Sequence, residues 1–256
     1  MVTLSLTLLL TQLPSGSDLL AMSLDEQRAA VSQLSVEQRT ELVKSLSLDE
    51  LLALEKRAAH SLGTYHAQVT RSERVKGTLT PQETMTVWVQ PEPLAIRLES
   101  IGGPPKGRKV VYNSTLRKDE LRAQDSGFLG MFGGVWLSLD SSMTRSDSNH
   151  PLTDLGFAPV MNLVEKIVKE TRAKGEITRT YLRTDSTGVC ERFDAPKGTK
   201  GLYATSSVLC FDPVLSLPMH FEISDEQGRL ETYTYSTLEQ NMKLAKAFFT
   251  PEAAGL

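Results

Sequence analysis

The stretch from Tyr203 to Phe249 constrains the fold more than any other part of this chain. Asp212-Pro213, Leu217-Pro218 and Asp225-Glu226-Gln227-Gly228 punctuate runs in which apolar and polar residues alternate. Successive side chains of a strand point to opposite faces, so period-two alternation predicts a sheet with two different faces. In the final run, Leu230 to Tyr235, Tyr233 and Tyr235 share one face while Leu230 and the threonines share the other. The run is expected to lead through Ser236–Asn241 into a short terminal helix. A long antiparallel meander without catalytic punctuation suggests a container or a docking surface.

The same pattern recurs upstream. Tyr65, Ala67 and Val69 alternate with polar neighbours, as do Met85, Val87 and Val89, with Trp88 on the opposite face. Leu94, Ile96 and Leu98 follow Pro91-Glu92-Pro93. Val110-Val111-Tyr112 follows the turn-rich segment Gly102–Gly107, and Trp136 faces away from Val135, Leu137 and Leu139. One amphipathic helix is predicted over Phe157–Glu170, with Val160, Leu163, Val164, Ile167 and Val168 on its apolar face. Strands are expected over 176–183, 188–193, 201–211 and 217–224 before the Tyr-Thr-Tyr strand. The fold class is therefore α+β, an antiparallel sheet that curls, with Gly- and Pro-rich turns.

Residues 23–62 are different. Ser23-Leu-Asp-Glu26, Ser35-Val-Glu-Gln38 and Ser47-Leu-Asp-Glu50 each fit a capping box, in which serine and acid or amide satisfy each other's backbone donors. They predict an N-terminal arm of three helices, serving either as a lid or docking element or as a cap over the sheet. Before it, Val2–Leu10 is a short apolar run followed by small residues, which reads as a signal segment over 1–22 lacking its basic n-region. Export to the periplasm is the expectation, with a mature chain starting near residues 18–22. The other reading of that run is a buried N-terminal strand or helix.

The composition excludes some classes. A formal net charge of −3 argues against nucleic acid as the main partner, because phosphate binding needs a basic surface. No Gly-x-Ser-x-Gly elbow is present, and acid, base and nucleophile converge on no motif, so an enzyme is not expected. The segment Gly102–Lys109 echoes a phosphate loop, but Arg108 displaces the lysine and its two prolines remove needed donors. Lys106, Arg108 and Lys109 form a solvated turn or meet an anionic headgroup or partner. The histidines at 60, 66, 150 and 220 show no metal spacing, and neither metal nor cofactor is expected. Cys190 and Cys210, the only cysteines, are a disulfide or two buried thiols. A symmetric hairpin turning at Asp194–Gly201 would place Cys190 opposite Thr205 instead.

Asn149-His150-Pro151-Leu152-Thr153-Asp154-Leu155-Gly156 resembles the His-Pro-Ile-Thr-Glu-x-Gly element of a bacterial domain family of unknown function grouped with LolA-like periplasmic carriers. Leu137-Ser138-Leu139-Asp140 and the ending from Asp212-Pro213 through Gly228–Tyr235, Asn241 and Phe248 fit the same pattern. The resemblance covers about Tyr65 to Phe249, with 63–256 as the LolA-like domain. It implies an incomplete β-barrel wrapped on helices around a greasy cavity, holding a lipid or an acylated, lipoprotein-type ligand. The alternative is an envelope scaffold or sensor that binds a protein partner through the same fold.

Within that frame, Gly127–Gly134 is either a movable apolar flap, with Phe128, Leu129, Met131 and Phe132 as adaptable surface, or a tight turn with buried aromatics. Trp88 and Trp136 line the inside or cover the outside, and the cavity expectation names them with Leu98 and Leu163. His150, ahead of Pro151, is expected to orient Asp154 and brace the helix start, with Thr153 or Asp154 capping it.

Overall fold

The computed structural model describes residues 13–104, 106–125 and 133–256. Four helices open the chain: α1 (Gly16–Ala21), α2 (Leu24–Ser32), α3 (Val36–Ser45) and α4 (Leu48–Ser61). Each begins at a serine capping box, at Ser15, Ser23, Ser35 and Ser47. At Ser47 the hydroxyl accepts from the Glu50 amide at 3.2 Å, while the Glu50 carboxylate accepts from the Ser47 amide at 2.8 Å. The three predicted boxes are present, and a fourth, Ser15/Asp18, lies inside the segment read as a signal. Removing the Ser47 hydroxyl in Ser47→Ala is expected to cost about 1 kcal/mol of stability, read from urea unfolding, with helical content almost unchanged.

Helix α1 lies ahead of the boundary expected at residue 22 and packs on the rest of the arm. Leu19 of α1 is buried with Val31, Leu42, Leu51 and Leu54 of the next three helices and with Val189 and Phe211 of the sheet. The Arg57 guanidinium donates to the carbonyls of Leu19, Leu20 and Met22 at 2.8–3.0 Å, supplying donors that the end of α1 otherwise lacks. Residues from about 13 onward belong to the folded body, and the arm covers the molecule's own core. The apolar run Val2–Leu10 lies outside the described residues. No helix among the described residues is long and apolar enough to cross a membrane.

The strands are β1 (Tyr65–Val75), β2 (Thr78–Leu79), β3 (Glu83–Gln90), β4 (Ala95–Gly102), β5 (Lys109–Asn113), β6 (Glu120–Gln124) and β7 (Val135–Ser138). After α5 (Phe157–Arg172) come β8 (Thr178–Asp185), β9 (Gly188–Asp194), β10 (Ser206–Asp212), β11 (Leu217–Asp225) and β12 (Gly228–Glu239). All pairings are antiparallel, in the order β7-β6-β5-β4-β3-β1-β12-β11-β10-β9-β8, with β2 paired to β1. Among the described residues the two meanders join where β1 pairs with β12, and β7 and β8 stand at opposite edges of the path. This is the curled sheet with helices expected from the sequence.

Three details differ. The strand β6 went unread, because Glu-Leu-Arg-Ala-Gln carries helix formers that only pairing with β5 and β7 turns into strand. The last strand runs on to Glu239, and the terminal helix shrinks to a 3-10 turn at Lys246–Phe249. Cys190 lies directly opposite Cys210 in the β9–β10 register, and the two form a disulfide. The link between these strands spans residues 195–205, longer than the turn assumed, and Asp194 pairs with Ser206.

The main core joins Ala58, Ala59 and Leu62 of α4 to Phe157 and Met161 of α5 and to the inner face of the sheet. The first amide of α5, on Phe157, donates to the Tyr65 hydroxyl at 3.2 Å. Gly156, immediately before it, has φ 138°, and a Cβ there would sit 2.7 Å from the same hydroxyl. The close approach therefore demands glycine. Neither Thr153 nor Asp154 caps α5. Its N-cap is Gly156, without a side-chain cap, and 152–154 form a separate 3-10 turn.

Candidate functional site

Antiparallel register sets aliphatic side chains in rows across the sheet. One row runs through Val87, Leu98, Val110, Ala123 and Val135, each opposite the next on strands β3 to β7. The last four residues of that row form a wall of a cavity of about 610 Å³, roofed by Val160 and Leu163 of α5 and bounded by Phe221, Tyr233 and Tyr235. That volume falls in the usual range for small-molecule sites. A smaller space of about 70 Å³ lies beneath the same helix, between Leu163, Ile167, Phe193 and Ile223.

One end of the cavity is polar. Arg71 on β1 donates to Glu73 at 3.0 Å and through two nitrogens to Glu83 at 3.0–3.1 Å. Glu73 also accepts from Tyr233 (2.5 Å), Ser148 (2.9 Å) and the Asn149 amide (2.6 Å). Ser100 donates to Glu83 at 2.5 Å. Beside them Glu231 accepts from the Tyr203 hydroxyl at 2.8 Å and pairs with His150 Nε2 at 2.9 Å. Glu73, Glu83 and Glu231 are all buried. Burial opposes protonation of His150, but Glu231, Glu73 and Asp154 together outweigh it, and its pKa lies above the ordinary histidine value. Burial drives the Tyr233 phenol far above its usual range, and burial together with Glu231 does the same for Tyr203.

Glu73, His150 and Glu231 offer three donor atoms within 4.8 Å of one another, a grouping that can hold a divalent cation. In this arrangement those atoms are engaged by Arg71, Tyr203, Tyr233, Ser148 and Asn149. Their evident effect is to tie the segment before α5 to β1 and β12.

Of the residues expected at the cavity, Leu98 and Leu163 line it, and His150, Pro151 and Asp154 stand at its wall. Phe128, Leu129, Met131 and Phe132 lie outside the described residues. Both tryptophans are on the outside. Trp88 packs against His66, Phe248 and the Arg97 guanidinium, and Trp136 lies 4.2 Å from the guanidinium of Arg117. The cause is strand parity: their sequence neighbours Val87, Val135 and Leu137 take the inner face. Arg108 is held by Asp125 and Asp147, and Lys109 donates to the Ala254 carbonyl, so these two cations are engaged within the protein. Asp154 lies 3.9 Å from His150 Nδ1 and extends the network. The carboxylates Glu73, Glu83 and Glu231 were not anticipated.

A model for the family described as "Protein of unknown function (DUF1571)" matches residues 62–254. A comparison with curated proteins found no match. Similar solved structures include the lipoprotein LppX of Mycobacterium tuberculosis, at 14% identity over 78% of this chain and 100% of that one, with a TM-score of 0.44. An uncharacterized conserved protein from Thermus thermophilus gives 12% identity over 80% and 95%, with a TM-score of 0.44. A LolA superfamily protein from Nitrosomonas europaea gives 11% identity over 81% and 99%, with a TM-score of 0.35.

Proposed function

The chain belongs to the DUF1571 family, and we propose that it is an envelope binding protein whose cavity holds the apolar part of a lipid or acylated partner. The observation that carries this reading is the aliphatic cavity between the β3–β7 rows and α5. A cleft of this size lined by Leu98, Val110, Leu121 and Leu163 suits an apolar occupant. Each buried methylene contributes about 0.8 kcal/mol, so a chain of about ten gives about 8 kcal/mol before the cost of association. The Cys190–Cys210 disulfide supports an oxidising compartment, in keeping with a periplasmic location.

The test is binding of a neutral fluorescent probe, N-phenyl-1-naphthylamine, to the full chain. The intrinsic tryptophans are poor reporters because both lie outside the cavity. Filling the space with Leu98→Trp or Leu163→Trp is expected to weaken probe binding at least tenfold while circular dichroism stays native. Unchanged probe binding in both variants would remove the cavity reading.

A second reading, a scaffold for a protein partner, is favoured by the edge strand β8. Tyr181 and Leu182 are exposed there, and among the described residues β8 pairs with β9 alone. Such an edge accepts an added strand. Native mass spectrometry of protein from an envelope fraction separates the two readings: bound lipid favours the first, a stable protein complex without lipid the second.

A further inference from the structure

We propose that one rim of the sheet docks on an anionic lipid bilayer, through exposed lysines and two exposed aliphatic side chains. This goes beyond the cavity reading and does not depend on it. The links β1–β2, β2–β3, β4–β5, α5–β8, β9–β10 and β11–β12 lie at the same end of the strands. They touch one another around that rim. Gly175 lies against Pro196, the Gly201 amide donates to Glu226 at 3.1 Å, Arg74 pairs with Asp225 and donates to Gln227, and Gly103 lies against the Gln82 carbonyl. Lys76, Lys106, Lys174, Lys197, Lys200 and Arg229 stand on or beside these links, all exposed and none in an ion pair among the described residues. The exposed carboxylates Glu176 and Glu226 oppose them. Asp225 and Asp194 are matched by Arg74 and Arg192, while Arg108 is outnumbered by Asp125 and Asp147. Six free cations, less two free carboxylates and the one unmatched at Arg108, leave a rim of +3 on a chain whose total is −3. Glu73, Glu83 and Glu231 are buried beneath it and are offset in part by Arg71 and His150.

The chemistry of the rim fits a bilayer better than a single anionic group. Five of the six free cations are lysines, spread over separate links and not gathered in a pocket. A lysine is a point charge on a flexible stem, suited to a diffuse field of phosphates, whereas one bound phosphate is best gripped by an arginine fork. Leu79 (38% exposed) and Ile101 (41% exposed) stand on the same rim. Aliphatic side chains among lysines match the boundary between headgroups and acyl chains. Arg108, at the end of the β4–β5 link, also borders the cavity, so docking this rim brings the cavity wall to the bilayer surface.

The experiment is flotation of the full chain with vesicles of phosphatidylcholine mixed with phosphatidylglycerol, beside vesicles of phosphatidylcholine alone. The chain is expected to float with the anionic vesicles in dilute salt and to release in about 1 M salt, where the Debye length falls to about 3 Å. Lys76→Gln with Lys106→Gln should weaken that binding about 25-fold, each lysine near such a surface being worth about fivefold. Leu79→Ser with Ile101→Ser should weaken it several-fold. Lys118→Gln with Lys166→Gln, exposed lysines away from the rim, should leave it unchanged. All these side chains are exposed, so circular dichroism should stay native in every variant. Equal flotation with both kinds of vesicle, or an equal loss in the Lys118 and Lys166 pair, would overturn the inference. Flotation with neither would also overturn it, and would leave an acidic protein surface as the partner for this rim. Binding of N-phenyl-1-naphthylamine without vesicles should be native in the rim variants, so failure of the cavity reading and failure of this one are told apart.

Discussion

Replacing Arg71 by methionine is expected to lower the unfolding free energy by about 3–5 kcal/mol, the cost of removing one partner from a buried ion pair. Methionine keeps much of the side-chain length but takes away the cation that Glu73 and Glu83 share. Both carboxylates are buried within the sheet, Glu73 at 1% exposure, and their remaining donors are hydroxyls and one amide. Adding Glu83→Gln to Arg71→Met removes one of the stranded charges and should recover part of the loss, so the two changes will not be additive. Urea unfolding followed by circular dichroism measures both. A loss below about 1 kcal/mol for Arg71→Met would mean that water reaches these carboxylates and that the polar end of the cavity is not a closed network.

Glu55 is expected to make the protein less stable as pH rises through neutrality. Its side chain is fully buried on α4, and neither carboxyl oxygen has a hydrogen-bond partner among the described residues. Burial, with a smaller push from Glu191 against a pull from Arg179, raises its pKa from 4.5 to about 8. The folded state thus holds a proton that the unfolded chain releases above pH 4.5. Stability is full below that value, declines between pH 4.5 and 8, and levels off once the folded carboxyl ionises. At pH 7 the loss from this one group is about 3 kcal/mol, since each pH unit in the window is worth about 1.4 kcal/mol. Glu55→Met should flatten this part of the profile and leave a protein more stable than the parent at pH 8. Parallel stability-against-pH curves for parent and variant would show that Glu55 is not the group responsible.

Much of the fold was legible in the sequence because period two and period 3.6 are local signals. Met85, Val87 and Val89 announce the inner face of β3, and the serine boxes announce the helices. Strand β6 was hidden because Glu120–Gln124, though Leu121 and Ala123 alternate with polar neighbours, is short and built from helix-favouring residues, and owes its conformation to its neighbours. The cavity wall was only half visible. Leu98 and Leu163 follow from periodicity, whereas the placing of Trp88 and Trp136 depends on which face closes over α5, a tertiary fact. The buried carboxylates did leave a trace. Arg71 and Glu73 continue the odd-numbered series of Tyr65, Ala67 and Val69, Glu83 precedes Met85, and Glu231 precedes Tyr233 and Tyr235, so each charge occupies a position reserved for the core. Charges at core parity are the signal that was available. Their partners come from strands and loops far apart in sequence, which no local pattern reveals.

The seam between β1 and β12 has a consequence for the order of events during synthesis. Tyr233 and Glu73, hydrogen-bonded across that seam, are separated by 160 residues. A growing polypeptide can assemble each meander on its own, but the two halves cannot dock until almost the last strand has left the ribosome. Such distant closure is slow and leaves strand edges open in the meantime. For that interval the cavity lacks the part of its boundary that Tyr233 and Tyr235 supply, and a chaperone or the eventual guest molecule is what can shield the greasy rows.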